Sequence, residues 1–225
     1  MSIKYESIVP WGRTFEEYID MFNLNESDLD KYILGCGDGP ASFNCTMKEK
    51  GKEVLSIDPI YKYTKDDISK RIDETYLDVI EQTKKNQDKY IWSKIKDVED
   101  LGRIRMKAMN IFLSDYNLGK KEKRYIYAEL PNLPFGDRKF DLSLSSHFLF
   151  LYTDNLSLKF HIKSIEEMLR VSKEVRIFPL LDVNGGKSSY VDEVISQFEM
   201  NYDINEVKVD YEFQKGGNTM LKIVH

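Results

Sequence analysis

A glycine-rich segment near the N-terminus constrains the fold of this chain more than any other feature of its sequence. The apolar run 32–35 leads directly into Gly35-Cys36-Gly37-Asp38-Gly39, and Pro40 stands at the expected first position of a helix. Gly51 ends that helix, and a second apolar run, 53–58, follows. The order strand, glycine turn, helix, strand predicts a βαβ unit, which requires two parallel strands.

The alternation of strand and helix patterns continues to the C-terminus. The predicted strands are residues 124–130, 140–146, 174–181, 207–214 and 219–224, and the predicted helices among them are residues 160–172 and 189–200. Lys215-Gly216-Gly217-Asn218 joins the last two strands as a hairpin. The chain is therefore predicted to have an α/β fold, with a doubly wound, mostly parallel sheet and an antiparallel strand at its end.

Two helical regions lie outside this alternation. An amphipathic N-terminal helix is predicted over residues 14–24, with Thr14 as its N-cap and Glu17 completing a capping box. Residues 62–123 are polar with helical periodicity and are too many for a plain crossover, so we expect a helical insertion after the second strand. We predict a single domain, residues 1–225, in which this insertion forms a cap.

Composition and charge exclude several classes of partner. The formal net charge of −5 gives no overall attraction to a phosphate backbone, so no nucleic-acid partner is expected. Only Cys36 and Cys45 are present, which excludes a cysteine-rich metal site and favours the reducing cytoplasm. Residues 1–22 are charged without an apolar core, and no run approaches the ~18 apolar residues of a membrane span, so no membrane partner is expected. The oligomeric state is left open.

The glycine turn and the second strand tip predict a ligand site. Ligands of doubly wound sheets bind at the carboxyl ends of the strands. Glycines there let the backbone approach a ligand closely, and Asp58 at the second strand tip can accept from both hydroxyls of a ribose. Pro40 stands where the nicotinamide fingerprint needs its third glycine, and no Gly-Lys-Ser/Thr sequence opens the helix. The pattern predicts a nucleoside without a phosphate chain.

The chain resembles the class I S-adenosylmethionine-dependent methyltransferases in residues 33–39 (Ile-Leu-Gly-Cys-Gly-Asp-Gly), in Asp58, and in Leu133-Pro134-Phe135 followed by residues 140–142 (Phe-Asp-Leu). The resemblance covers about residues 32–58 and 125–225. It implies a seven-stranded sheet whose last strand is antiparallel, with S-adenosylmethionine as the cofactor. The chain departs from the pattern of this family in two ways. Neither position 32 nor position 33 holds the acidic residue that is frequent in relatives, and the helix after Asp58 is greatly extended.

Carried over position by position, the resemblance implies a set of cofactor-binding residues. Gly35, Gly37, Asp38 and Gly39 would lie beside the methionine part, Asp58 and Pro59 beside the ribose, Glu129 and Leu130 beside the adenine, and Ser146 and His147 beside the methyl group. Arg13 and Tyr18 precede the first strand, where the N-terminal helix is expected to close over the cofactor.

Two of these residues have a purely structural alternative. Asp58 can cap the helix that begins after Pro59. His147 stands before apolar residues and can be a hydrogen-bonded structural histidine. As a catalytic residue, His147 would serve as a base near neutral pH.

These features predict an S-adenosylmethionine-dependent methyltransferase that acts on an unidentified small-molecule acceptor. Both ends of the insertion lie at the cofactor edge of the sheet, so Trp92, Arg103, Arg105 and Tyr116 are expected to face the acceptor pocket. The alternative is a non-catalytic S-adenosylmethionine-binding module, either a sensor or a partner subunit, which would have no acceptor pocket. A nicotinamide oxidoreductase is disfavoured by Pro40 and by the lack of a Tyr-x-x-x-Lys pair after the fourth strand.

Overall fold

The computed structural model describes residues 9–225, so the first eight residues of the N-terminal segment lie outside the described residues. The helices are α1 Phe15–Phe22, α2 Glu26–Leu29, α3 Phe43–Glu49, α4 Lys65–Lys85, α5 Val98–Lys121, α6 Leu158–Val171 and α7 Val191–Phe198. The strands are β1 Ile33–Cys36, β2 Val54–Ile57, β3 Tyr125–Ile126, β4 Phe140–Ser146, β5 Ser172–Phe178, β6 Asp203–Lys208 and β7 Thr219–Val224.

The seven strands form one sheet in the order β3-β2-β1-β4-β5-β7-β6. Strand β1 pairs in parallel with β2 and β4, whereas β7 is antiparallel to both β5 and β6. Every residue of β1 and β2 is buried, as expected for parallel strands covered on both faces. The predicted fold class is confirmed, including seven strands with the last one antiparallel.

Both faces of the sheet carry an apolar layer because side chains alternate along each strand. Leu34 packs in the cluster that contains Ile165 of α6 and Val194 of α7. Its neighbour Ile33 points the other way, into the cluster with Tyr18 of α1 and Phe43 of α3. The N-terminal helix is thus a full part of the core.

The insertion after β2 folds as the helices α4 and α5, and it is anchored at the β3 edge of the sheet. Phe112 of α5 lies edge-on to Tyr125 of β3, with ring centroids 5.2 Å apart. The Tyr116 hydroxyl donates to the carbonyl oxygens of Tyr61 and Tyr63 at 3.0 and 2.9 Å. Aromatic packing therefore holds the insertion to the strand that follows it, and the hydrogen bonds hold it to the turn that precedes it.

Some predicted element boundaries are wrong for identifiable reasons. Helix α3 begins at Phe43 rather than at Pro40, because the N-terminal segment occupies that turn and the Ser42 amide donates to the Arg13 carbonyl oxygen at 3.0 Å. Strand β3 is only two residues long instead of seven.

The sixth strand was predicted over residues 207–214, whereas β6 is the edge strand Asp203–Lys208. Its charged residues suit an edge, where they discourage pairing with another sheet. The residues after it alternate as a strand would, but they serve the core and the cavity instead. Val209 and Tyr211 are buried, and Phe213 stacks on Tyr90 of the insertion with ring centroids 4.8 Å apart.

We predict that the buried ion network around Arg176 of β5 is needed for stability. Its side chain is 5% exposed and bonds Asp28, Glu174 and the Phe22 carbonyl oxygen. Arg176→Met leaves buried carboxylates short of a counter-charge, so the free energy of unfolding should fall by about 3 kcal/mol in urea titrations.

Lys173→Met on the same strand is the matched control, because Lys173 is 63% exposed in its ion pair with Asp141. It should cost less than about 1 kcal/mol. Equal losses in the two variants would contradict a structural role of the Arg176 network.

Candidate functional site

A cavity of about 480 Å³ opens at the carboxyl ends of β1, β2, β4 and β5. Pockets of roughly 300–1,000 Å³ are typical of small-molecule sites. The predicted cofactor and catalytic residues that line this cavity are Arg13, Tyr18, Gly37, Asp38, Gly39, Asp58, Pro59, Glu129, Leu130, Ser146 and His147. Residues far apart in the sequence are thus brought to one site, as expected where ligands of doubly wound sheets bind.

The glycine turn after β1 uses its glycines in two ways. Gly37 has a φ of +70°, and a Cβ there would come within 3.1 Å of the Phe148 ring. Gly35 is not part of the cavity lining, because the Asp38 carboxylate folds back over it and would collide with a Cβ. Gly35 therefore makes room for Asp38 rather than for a ligand.

The Asp38 carboxylate is held between α1 and β2. It accepts from the Tyr18 hydroxyl at 2.8 Å and from the Ser56 hydroxyl at 2.5 Å. Burial raises the pKa of Asp38 to about 6, against the opposing effect of these two hydrogen bonds. An acidic side chain thus lies over the end of β1, although position 33 itself is Ile33.

Asp58 has both of its carboxylate oxygens bound to backbone amides. One oxygen accepts from Gly39 and the other from Ile60, each at 2.8 Å. Asp58 therefore caps the short 3-10 helix Pro59–Lys62, the structural alternative that the sequence left open. Each oxygen keeps a further lone pair, and the residue faces the cavity, so capping does not exclude an additional ligand hydroxyl. Burial raises the pKa of this carboxyl to about 6.

Glu129 and Leu130 follow β3 and line the same end of the cavity as Asp58. The Glu129 side chain is exposed, and it accepts a hydrogen bond from the Tyr127 hydroxyl at 3.3 Å. Its carboxylate therefore has acceptor capacity left for an amino group.

His147 follows β4 in a left-handed conformation, with a φ of +52°. Its amide donates to the Phe178 carbonyl oxygen at 2.6 Å, which fixes the backbone, and its Nδ1 lies 2.9 Å from Ser146 Oγ. Burial, together with the charges of Arg13 and Arg105, lowers the pKa of His147 well below 6.5. The imidazole is therefore neutral at neutral pH.

A buried charge cluster stands behind the cavity wall. The Glu17 carboxylate binds the Arg105 guanidinium with both oxygens, accepts from the Tyr211 hydroxyl at 2.9 Å, and closes the predicted capping box by accepting from the Thr14 amide. Burial has the largest single effect and raises the pKa of Glu17, but Arg105, Arg13 and the Thr14 amide together outweigh it and lower the pKa to about 2.

Arg13 has no such partner. Its Nη1 donates to the Trp11 carbonyl oxygen at 2.8 Å, whereas its buried Nε has no hydrogen-bond partner in the part of the chain that the structure describes.

The insertion contributes a wall to this cavity, but with other residues than expected. Its lining residues are Val79, Thr83, Tyr90 and Leu101. The four residues expected to face the pocket do not line it: Arg105 pairs with Glu17, Arg103 is exposed and pairs with Asp100, Tyr116 binds backbone carbonyl oxygens, and Trp92 packs edge-on against Phe213.

Tyr90 reaches the cavity because the loop between α4 and α5 is tied to the connection between β6 and β7. The Ile91 amide donates to the Phe213 carbonyl oxygen at 2.7 Å, and the Lys215 amide donates to that of Lys89 at 2.9 Å. Sequence reasoning missed Tyr90 and Phe213, and no local pattern marks two segments more than 120 positions apart as neighbours.

No group of three or more His, Cys, Asp or Glu residues within residues 9–225 is arranged to hold a metal ion. In the same range, none of the helices is long and apolar enough to cross a membrane.

The strand order and the position of the cavity place the chain in the class I methyltransferase fold. No model of a known protein family matches it. The uncharacterized protein MJ0045 of Methanocaldococcus jannaschii is 37% identical over 214 residues, which cover 94% of each chain. The chain belongs to the same family as that protein.

Solved structures with a similar arrangement share little sequence with the chain. A putative S-adenosyl-L-methionine-dependent methyltransferase of Methanococcus maripaludis is 14% identical, with coverage of 93% of this chain and 82% of that chain and a TM-score of 0.42. A SAM-dependent methyltransferase of Aquifex aeolicus is 15% identical, with coverage of 92% and 90% and a TM-score of 0.43. Similarity at this level carries no functional conclusion, so the inference of function rests on the cavity.

The raised pKa of Asp38 predicts a stability cost at neutral pH. The pKa of Asp38 is about 6 in the folded state, against an ordinary value of 3.8. Between these two pH values the unfolded chain releases the proton while the folded protein still holds it, so the free energy of unfolding falls as pH rises through this window. Asp38→Asn should therefore be more stable than the wild type at pH 8, by up to about 3 kcal/mol, and nearly equal to it at pH 4.

Thermal unfolding across this pH range measures the difference. Asp141→Asn is the control of opposite sign, because hydrogen bonds from Lys173 and from the Tyr32 amide lower the pKa of Asp141. That variant should be less stable than the wild type at neutral pH. If the stability difference between Asp38→Asn and the wild type did not change with pH, the raised pKa of the buried Asp38 carboxyl would be contradicted.

Proposed function

We propose that this chain binds S-adenosylmethionine and transfers its methyl group to a small-molecule acceptor. One observation carries the proposal: the glycine turn, Asp58 and Glu129 line one end of a cavity that continues past His147 to β5. A nucleoside alone would not fill the part of the cavity that lies past His147. We also propose a cytoplasmic location, which the two free, buried cysteines support.

The donors and acceptors at the first end fit an adenosine bearing an amino acid. Asp58 would accept from the ribose hydroxyls, and Glu129 from the adenine amino group. Ile57, Ala128 and Leu130 supply apolar surface between them. The turn residues Gly37 and Asp38 would meet the methionine part, where a negative carboxylate suits an ammonium group. Bound there, S-adenosylmethionine would supply an electrophilic methyl group on a sulfonium.

The other end of the cavity would orient the acceptor against that methyl group. With the cofactor held in this way, its sulfonium would offer the methyl carbon to a lone pair of the acceptor, and the electron pair of the carbon–sulfur bond would remain on sulfur. The neutral imidazole of His147 can accept a hydrogen bond from the acceptor, and because its pKa is lowered it would pass the acceptor's proton on to solvent rather than keep it. Most of the rate gain is expected from positioning and from exclusion of water by the insertion and α1.

The first test of this proposal is cofactor binding. The wild type should bind S-adenosylmethionine and S-adenosylhomocysteine in calorimetry, and Asp58→Ala should weaken both by at least about tenfold because a buried, charged acceptor is lost. Asp97→Ala is the control for the loss of an N-cap, since Asp97 caps α5 by accepting from the Asp100 amide and does not line the cavity.

Both variants lose an N-cap, worth about 1 kcal/mol. Asp58→Ala also loses the hydrogen bond from the Gly39 amide, so thermal unfolding of both variants is measured beside binding. Binding of a nicotinamide dinucleotide, with no binding of either adenosyl compound, would refute the cofactor assignment.

The second test locates His147 relative to the methyl group. S-Adenosylmethionine carries a positive charge and a methyl group that S-adenosylhomocysteine lacks, so the imidazole NMR signals of His147 should differ between the two complexes. His161 is the internal control, because its Nδ1 lies 2.9 Å from the Ser157 carbonyl oxygen and it does not line the cavity. Identical His147 signals in both complexes would remove it from the reacting centre.

A non-catalytic binding module would behave differently in one respect. It would bind both adenosyl compounds but no acceptor in the region past His147.

A further inference from the structure

The cavity divides into two ends according to the sheet order β2-β1-β4-β5. Neighbouring strands are about 4.8 Å apart, so the tips of β2 and β5 are separated by roughly 14 Å, the length of an extended small molecule. The nucleoside end lies over β2 and β1. The second end lies over β4 and β5, and its walls are largely aromatic: Tyr90, Phe148, Tyr152, Phe160 and Phe213.

Charge is distributed unevenly between the two ends. Among the described residues, the carboxylates in the lining are Asp38, Asp58 and Glu129, all at the nucleoside end. The lining has a single Lys or Arg within residues 9–225, which is Arg13.

Arg13 lies on a segment that joins the two ends. Its carbonyl oxygen accepts from the Ser42 amide beside the glycine turn, and the Val9 amide of the same segment donates to the Tyr152 hydroxyl at 3.4 Å. Arg13 also acts electrostatically on Tyr18 at the first end and on three residues at the second. Its charge lowers the pKa of His147 and opposes the rise in the pKa of Tyr90 and Tyr152, whose pKa values burial raises. These three residues line the cavity beyond the glycine turn.

The buried cluster beside Arg13 has one positive charge too many. Arg13 and Arg105 are both cationic, and Glu17 supplies one negative charge. The Glu17 oxygens are already occupied by Arg105, the Tyr211 hydroxyl and the Thr14 amide. Buried charges are normally paired, and the Nε atoms of Arg13 and Arg105 both lack a partner in the described part of the chain. The two arginines differ at Nη: Arg105 binds the Glu17 carboxylate, whereas the hydrogen bond of Arg13 among the described residues goes to the Trp11 carbonyl oxygen.

We propose, on the basis of the proposed function, that the methyl acceptor is a planar, apolar small molecule with a carboxylate, and that Arg13 binds this carboxylate. A guanidinium matches a carboxylate with two parallel hydrogen bonds. The pair of Tyr90 and Phe213 offers a flat surface for a ring. A carboxylate on Arg13 would place the rest of the molecule between this surface and His147.

The carboxylate that binds Arg13 can belong either to the acceptor or to the methionine part of the cofactor. Calorimetry with two adenosyl compounds separates them, because methylthioadenosine lacks the amino acid that S-adenosylhomocysteine has. Arg13→Gln, Arg13→Lys and the control Arg103→Gln are compared with the wild type, since Arg103 is an exposed arginine on α5 outside the lining.

Three matched pairs of probes then test the acceptor end in the presence of S-adenosylhomocysteine: benzoate and benzamide, phenylacetate and phenylacetamide, and indole-3-carboxylate and its amide. In the wild type and in Arg103→Gln, at least one acid should bind at least about tenfold more tightly than its amide. Arg13→Gln should abolish that preference and Arg13→Lys should keep part of it. Binding of S-adenosylhomocysteine should stay within about twofold in all variants.

Two results would overturn the proposal. One is that Arg13→Gln weakens S-adenosylhomocysteine but not methylthioadenosine, which would assign Arg13 to the methionine carboxylate. The other is that no acid binds better than its amide at up to about 10 mM. If the wild type binds no adenosyl compound, the proposed function fails, and the acid–amide comparison without it still decides the role of Arg13.

Discussion

One carboxylate, that of Glu17, joins the three segments that close the cavity. It caps α1 through the Thr14 amide, pairs with Arg105 of the inserted helix α5, and accepts from Tyr211 in the connection between β6 and β7. Desolvation makes such a buried ion pair expensive, and it is tolerated because every oxygen of the carboxylate is satisfied. The arrangement fixes where α1 stands, and with it the positions of Arg13 and Tyr18 in the cavity wall.

The sequence was most informative where the information is local. The glycine turn, the strand tip at Asp58 and the bounds of β4 follow from short patterns, and the structure brings the first two to one cavity. Strand β6 was misplaced because Val209 and Tyr211 alternate like strand residues but pack in the core beyond it. Periodicity reports that a face is buried, and it does not report what buries it.

The candidate site shows the same boundary between local and distant information. Arg105 was expected in the pocket, yet its charge is used by Glu17, which lies 88 positions away in the sequence. Tyr90 enters the lining only because the backbone of its loop pairs with that of Phe213. Asp38 was expected beside the ligand, but only the packing of α1 on β2 shows that burial raises its pKa.

The backbone pairing of residues 89–91 with 213–215 also determines how often the aromatic end of the cavity can open. Two backbone hydrogen bonds, the stack of Tyr90 on Phe213 and the edge-on contact of Trp92 with Phe213 hold this seam, and each contributes about 1 kcal/mol. Such a seam can part by local opening while the sheet stays folded, and openings of this kind often limit how fast products leave an enzyme. The exchange rate of the Ile91 amide proton therefore measures how often the aromatic end of the cavity is open to solvent.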